Sequence, residues 1–516
     1  MKRLVIPTLL AGFFLGSSVP AFADSFSGGN LIVSRTVYQD VGDVASLVAG
    51  SALPYGGTAV ADGSFPNVFK NETPDASFGV SSAIYLDQLT TAGSFISTLA
   101  IDPSVMTSSF ASKSELALNV STDGSAITFM GYKAAVGKID VSNSNTAAVN
   151  DPTNTVTATY QRAIGQVSLS SGTVTVTGVN AYSGNNGRAA VLANGNYYMV
   201  GNAGNSGTVS GSTTSQTTFN QLSANTGVQM ISASNPGIGN TTVVGSGPTP
   251  VSGGKGGQYG FDVTQAGYAA DKTGKDDNFR GMTVYNGTLY VTKGSGSNGI
   301  NTVYQVGVTG ALNNGGAIPT NASITILPGF STVLAKSTTG VEHPFGLWFG
   351  DDTTLFVADE GDGARSLNKA ASTSGGLEEW KLINGVWSKM ATFQSGLINQ
   401  ITTPAGLNWS VKEDGLRNLT GRKNVDGTFT LFATTSTVSD EATHDLGADP
   451  NEIVSITVGA NSTADNTAFS VVETADAGTR FGGVAIAPVP EPETYGLMAL
   501  GLCLMGVVAR RRKGVV

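Results

Sequence analysis

Phe481-Gly482-Gly483-Val484-Ala485-Ile486 opens a strand pair that the chain never finishes, and this deficit decides the fold. The same opening occurs earlier, each time followed by a tight polar turn and a second apolar strand. Leu116 to Val120 leads through Asp123-Gly124 to Ile127–Tyr132. Arg188 to Leu192 leads through Asn194-Gly195 to Tyr197–Val200, and Gly281 to Tyr285 through Asn286-Gly287 to Leu289–Val291. Gly346 to Phe349 leads through Asp351-Asp352 to Leu355–Val357, and a looser copy runs from Gly415 through Asp426-Gly427 to Phe429–Phe432. The starts lie roughly 70 residues apart, with one step of about 90 that holds a Gly/Ser-rich insertion near Asn235 to Gly257. Two more strands follow most copies; Asn384-Gly385 between Leu377–Ile383 and Val386–Phe393 is a strong hairpin signal. The N-terminus offers three strands with no leading one, namely Leu31–Tyr38, Ser82–Leu86 and Phe95–Ile101. The unfinished copy would supply it.

The expected fold is therefore all-β, a β-propeller of six four-stranded blades closed by N- and C-terminal strands. Seven blades are the alternative if the insertion hides one. A β-sandwich array or β-solenoid is the competing architecture. Gly 68 of 516 residues and only 13% charged residues describe short strands joined by many turns. A net charge of -9 argues against a phosphate-binding groove, so nucleic acid is not an expected partner. The single cysteine, Cys503, leaves the exported part without an internal disulfide, so burial and strand pairing must hold it together.

Both extremities read as processing segments. Lys2 and Arg3, an apolar run from Leu4 to Leu15, and Ala21-Phe22-Ala23 form a signal peptide over residues 1–23, with cleavage at Ala21 and Ala23. At the other end, Val489-Pro490-Glu491-Pro492 precedes an apolar run from Tyr495 to Ala509 and the basic cluster Arg510-Arg511-Arg512-Lys513. That run is short for a stable membrane helix, which takes about 20 residues, and the basic cluster would remain cytoplasmic. A signal helix and a C-terminal hydrophobic helix are thus expected to flank a propeller domain over 24–488, with a sorting tail over 489–516.

The tail resembles the PEP-CTERM sorting signal handled by bacterial exosortases. The resemblance implies a Gram-negative bacterium, signal peptidase and exosortase as processing enzymes, and recognition of Pro490-Glu491-Pro492. It further implies transient residence in the inner membrane, then release to the cell surface or an extracellular matrix. A permanent anchor is the alternative. The repeat also resembles secreted bacterial propellers of the choice-of-anchor type, Phe481 to Pro488 being like the opening strand of their blades.

Candidate chemistry is sparse. Asp359, Glu360 and Asp362 form the densest acidic loop, near Asp351-Asp352, and could offer oxygen ligands to Ca²⁺, although the spacing is not that of an EF-hand. Asp271, Asp276, Asp277 and Arg280 read as a hydrophilic loop between blades. A Ser-His-Asp triad would have to use His343 or His444, the two histidines of the chain. Trp348, Trp380, Trp387 and Trp409 either fill wedges between blades or stack on sugars. No catalytic constellation or cofactor motif is legible. The expected function is a non-enzymatic binding or structural protein of the surface or matrix, linked to exopolysaccharide, biofilm or an envelope protein. A secreted calcium-dependent propeller hydrolase, lactonase-like or glycosidase-like, is the alternative. Ice or mineral binding would need flat ranks of threonine, which the irregular repeat lacks.

Overall fold

A computed structural model describes residues 25–489, apart from 56–57, 62–68, 71–78, 111, 113–114, 205–220, 223, 235–238, 246–262, 264–265, 269–275, 364–371, 408 and 440–448. The signal-peptide residues Ala21 and Ala23, the motif residues Pro490, Glu491 and Pro492, Cys503, the basic cluster Arg510–Lys513, Asp271 and His444 lie outside these described residues. So do both expected terminal helices. Among the described residues no helix is long and apolar enough to cross a membrane.

Six antiparallel sheets form the six blades of a propeller. The second blade is Asn119–Val120, Ala126–Tyr132, Arg162–Ser168 and Val174–Val179, from the axis outward. The third is Gly187–Ala193, Asn196–Gly201, Gly227–Ser232 and Thr242–Val244. The fourth runs Phe279–Tyr285, Thr288–Lys293, Thr302–Val306 and Ile324–Ile326; the fifth runs Pro344–Asp351, Thr354–Asp359, Gly376–Ile383 and Val386–Phe393. The sixth is Val411–Lys423, Phe429–Val438, Glu452–Val458 and Ser470–Thr474, with Ile401–Thr402 added beside its first strand.

The first blade takes its inner strand, Thr479–Ile486, from the far end of the chain. This strand pairs with Leu31–Val37, which is followed by Ser81–Leu89 and Phe95–Ala100. Leu31 faces Ile486, Ile32 faces Ala485 and Val33 faces Val484. The closure expected from the incomplete repeat is thus the observed one, and it removes the open edge a linear array would leave. Blade six fastens it: Asn418 Oδ1 accepts from Val484 N at 2.6 Å, and Asn451 exchanges two bonds with the Phe481 backbone at 2.8 and 3.0 Å.

Strand sequences read as near-continuous apolar runs because each blade is covered on both faces. Six apolar clusters fill the six spaces between blades. Leu31 and Val33 pack with Phe432, Ile453 and Val484 toward blade six, whereas Ile32, between them in sequence, packs with Ile127 and Phe129 toward blade two. Leu355 and Val357 likewise face blade four, and Phe356 and Ala358 face blade six. This is the period-two alternation of a strand, with a core on either side. Asn194-Gly195, Asn286-Gly287 and Asn384-Gly385 all take positive φ at both positions, as a two-residue hairpin turn requires.

Candidate functional site

The two faces of the ring differ in what joins the strands. On one, the innermost strands turn into their partners through short hairpins at 121–125, 194–195, 286–287, 352–353 and 424–428. On the other, second strands end and third strands begin, joined by the longer connections 38–80, 133–161, 202–226, 360–375 and 439–451. Functional residues on propellers and barrels commonly sit on such loops above a rigid scaffold. Both chain ends leave on the hairpin face, where Gly29 N donates to Ala487 O at 2.8 Å and Ala487 N to Asn30 O at 2.9 Å.

Just beneath the long loops lies a belt of buried charge. It is made by the buried Glu115, Arg188 and Arg480 and the half-buried Arg280, at or just before the starts of inner strands, and by the buried Arg417 inside Val411–Lys423. Arg188 Nη1 donates to the Phe279 carbonyl of the next blade at 3.0 Å. Arg480 donates to the Ser112 carbonyl, and Arg417 pairs with Glu360 at 3.4 Å and Ser436 at 3.0 Å. Tyr132 donates to Glu115, whose burial raises its carboxyl above the usual range against the opposing hydrogen bonds. Burial, then the nearby Arg417, brings Arg480 down to about 9, and burial brings Lys293 down to about 7. The belt links blades through arginine-to-carbonyl bonds.

Below the belt, glycines let neighbouring inner strands touch backbone to backbone. A Cβ on Gly281 would meet the Phe345 carbonyl, one on Gly346 would meet Arg417 O and Leu419 N, and one on Gly483 would meet Leu116 O and Leu118 N. From this level an axial cavity of about 400 Å³ extends to the hairpin face, lined by all six inner strands and by Pro488.

The three acidic residues considered for Ca²⁺ do not share one set of contacts. Asp359 is fully buried and accepts from His343 N at 2.6 Å, Gly361 N at 2.8 Å and Ser374 Oγ at 3.2 Å; burial nevertheless raises it to about 6. Glu360 pairs with Arg417, and Asp362 is exposed, its backbone N donating to Ser372. Asp351 and Asp352, close in sequence, sit at the opposite end of the strand Thr354–Asp359, roughly 20 Å away at about 3.3 Å per residue. They bond there to Lys423, Tyr285 and Asn286. Among the described residues no group of three His, Cys, Asp or Glu converges as a metal site.

His343 does approach a serine and an aspartate, but in the wrong order for nucleophilic catalysis. Its Nδ1 lies 3.3 Å from Ser374 Oγ, while that hydroxyl donates to Asp359. The serine stands between the imidazole and the carboxylate, whereas a Ser-His-Asp triad needs the histidine in the middle, held by the acid. Asp276 and Asp277, expected in a hydrophilic loop, are buried instead: Asp277 packs on Gly227, and Asp276 packs on Gly299 and accepts from Val263 N at 3.1 Å. Trp380, Trp387 and Trp409 are buried, and Trp348 is half-buried against Phe356 and Phe429. The sequence reading did not single out Arg188, Arg417 and Arg480. For Arg188 and Arg480 a signal was present, an arginine at the second position of the inner strands beginning at Gly187, Phe279 and Thr479; Arg417, inside Val411–Lys423, does not share it.

The family model of the PEP-CTERM protein-sorting motif matches residues 488–513, so the chain carries that motif directly after the closing strand. The motif implies processing by an exosortase and export through the membrane to the cell surface. No curated protein matches the chain in sequence. Among solved structures, the chain is similar to a provisionally named 6-phosphogluconolactonase of Bacteroides fragilis NCTC 9343, at 9% identity and TM-score 0.33 over 88% of this chain and 97% of that one. It is similar to AztD of Citrobacter koseri at 9% identity and TM-score 0.27, over 79% and 96%. An ulvan lyase of a polysaccharide lyase family gives 10% identity and TM-score 0.28, over 79% and 92%. Likeness at this level bears on no function.

Proposed function

We propose that this protein is a non-enzymatic propeller of the bacterial surface or matrix, which presents its long-loop face to an exopolysaccharide or envelope partner. The observation that carries the reading is the placement of the chain ends. Residues 25–30 and 487–489 lie side by side on the hairpin face, so a tether through the sorting tail holds that face inward and turns the long loops outward. The signal peptide directs export, the hydrophobic run holds an inner-membrane intermediate, and exosortase processing at Pro490-Glu491-Pro492 passes the ring to the surface. The order His343–Ser374–Asp359, with the serine between imidazole and carboxylate, favours binding over hydrolysis.

Thiol labelling tests the orientation. Cys503, the single native cysteine, lies in the tail. Val48→Cys would place a thiol on the long-loop face, and Val425→Cys one at an inner hairpin; both positions are exposed. In cells lacking exosortase, a membrane-impermeant maleimide added to spheroplasts should label position 48 well above position 425. Equal labelling, or the reverse, refutes the orientation. Retention of the wild-type protein in the exopolysaccharide fraction, lost when the 38–80 loop is shortened, supports the partner.

A further inference from the structure

We propose that the axial cavity is a binding site for a neutral polyhydroxyl ligand, one or two sugar residues long, entering from the hairpin face. A volume of about 400 Å³ lies within the range of small-molecule sites and far exceeds the roughly 30 Å³ share of one water. Each inner strand is paired on one side only along the cavity, so its other edge turns backbone N–H and C=O groups toward the axis, where some bond to side chains, as Gly281 N and Phe345 O do to Thr292 Oγ1. Thr283 and Thr420 add hydroxyls, and Asn119 and Asn418 add amides already fixed in place. Asn119 donates to Ala190 O at 3.1 Å, and Asn418 accepts from Val484 N. Held in this way, the amides lose little freedom when a ligand binds.

Apolar surface completes the match. Val284, Ile486 and Trp348 line the same space, which suits the C–H faces of a pyranose ring. No Asp, Glu, Lys, Arg or His is among the lining residues; the charged belt begins beyond the glycine contacts. An ion entering this cavity would shed water without meeting a counter-charge, whereas a sugar exchanges hydrogen bonds for hydrogen bonds. Pro488 stands on the rim and is also the first residue of the sorting motif, so ligand and tail share one opening. This site lies on the other face from the long loops, and its occupancy does not depend on what those loops bind.

The test is titration calorimetry of the mature exported protein with cellobiose and chitobiose, against glucuronate and glucosamine as charged probes, with a long neutral glucan as a separate arm. Binding of a neutral disaccharide is expected. Glucan that competes for the site identifies a polymer end as the source, and glucan that does not identifies the free sugar. Thr283→Phe, which fills the cavity, should weaken binding at least tenfold while circular dichroism stays unchanged; Thr420→Val, nearly isosteric, should weaken it severalfold with the fold intact. Failure of every neutral saccharide to bind, preference for a charged probe, or binding unchanged in both variants overturns the proposal.

Discussion

Arg162 shows how a single residue can hold a loop without an acid beside it. Its guanidinium is fully buried and donates to the carbonyls of Tyr160, Ser142, Ser144 and Asn185 at 2.6 to 2.9 Å, with Ser144 Oγ at 3.2 Å and the Tyr132 ring 5.4 Å away. Three of these carbonyls belong to the 133–161 loop itself and the fourth, Asn185 O, to the link between the second and third blades, so the fork ties that loop to the floor of the long-loop face. Arg162→Met strands these acceptors and should cost about 3 kcal/mol or more, read as a lowered denaturant midpoint. Arg162→Lys, without the planar fork, should recover only part of the loss. Asp359 makes a second prediction. Burial raises it from the usual 3.8 to about 6, so between these pH values the folded state holds a proton that the unfolded state has released. Stability should therefore fall as pH rises from about 4 to 6, by up to about 3 kcal/mol, and level off above. Asp414, also raised to about 6 by burial, adds in the same sense. Thermal unfolding from pH 4.5 to 8 should show this slope in the wild type and a shallower one in Asp359→Asn; identical slopes would count against it. Arg162 could not be singled out in advance, and Asp359 stood out only as part of an acidic loop, not as a buried acid. Arg162 looks like any strand-end arginine, and the burial of Asp359 depends on His343 and Ser374, which only the sheet register brings together.

Elements were far more legible than sites, for a physical reason. Hairpin chemistry is local, and Asn194-Gly195, Asn286-Gly287 and Asn384-Gly385 encode positive φ in two adjacent residues. The repeat was legible because each blade needs the same inner strand, with a small residue where the neighbouring strand comes close. The charged belt was hidden because Glu115, Arg188 and Arg480 come from different blades, brought together only when the ring closes. The closing strand concentrates this dependence. Val484 is fully buried between blades one and six, and Gly483 abuts the backbone of Leu116 and Leu118. Val484→Asp should destabilise the protein by about 3 kcal/mol or more, since a carboxylate there meets only apolar neighbours. Gly483→Ala should also destabilise, because the neighbour is backbone and cannot rotate away. A chain ending at residue 478 should be protease-sensitive, and a synthetic peptide covering 479–489 should restore resistance by filling the vacant inner position. Full resistance of the truncated chain would mean that the ring closes some other way.

At the scale of the whole molecule, closure and sorting are done by one continuous segment. The ring's last strand ends at Ile486 and the matched motif begins at Pro488, leaving almost no spacer. Eight residues, 487–494, separate that strand from the apolar run that begins at Tyr495. Fully extended they span at most about 28 Å at roughly 3.5 Å per residue, comparable with the thickness of the ring's own blades. On the proposed tether, the hairpin face and the mouth of the axial cavity would therefore stay close to the membrane surface. The long-loop face, a full strand length farther out, is free to meet a partner. Distance is the controlling variable, and it can be changed without touching the fold. Insertion of about 20 Gly/Ser residues after Val489 would add a coil of roughly 25 Å root-mean-square length. The inserted chain should raise maleimide labelling of Val425→Cys toward that of Val48→Cys in exosortase-deficient cells, while labelling of position 48 stays constant. The same insertion should speed tail removal where exosortase is present, because the motif is then no longer pressed against a folded face. Processing that is unchanged by the longer spacer would show that the enzyme reaches Pro490-Glu491-Pro492 beside the closed ring, and the proximity argument would fail on that measurement.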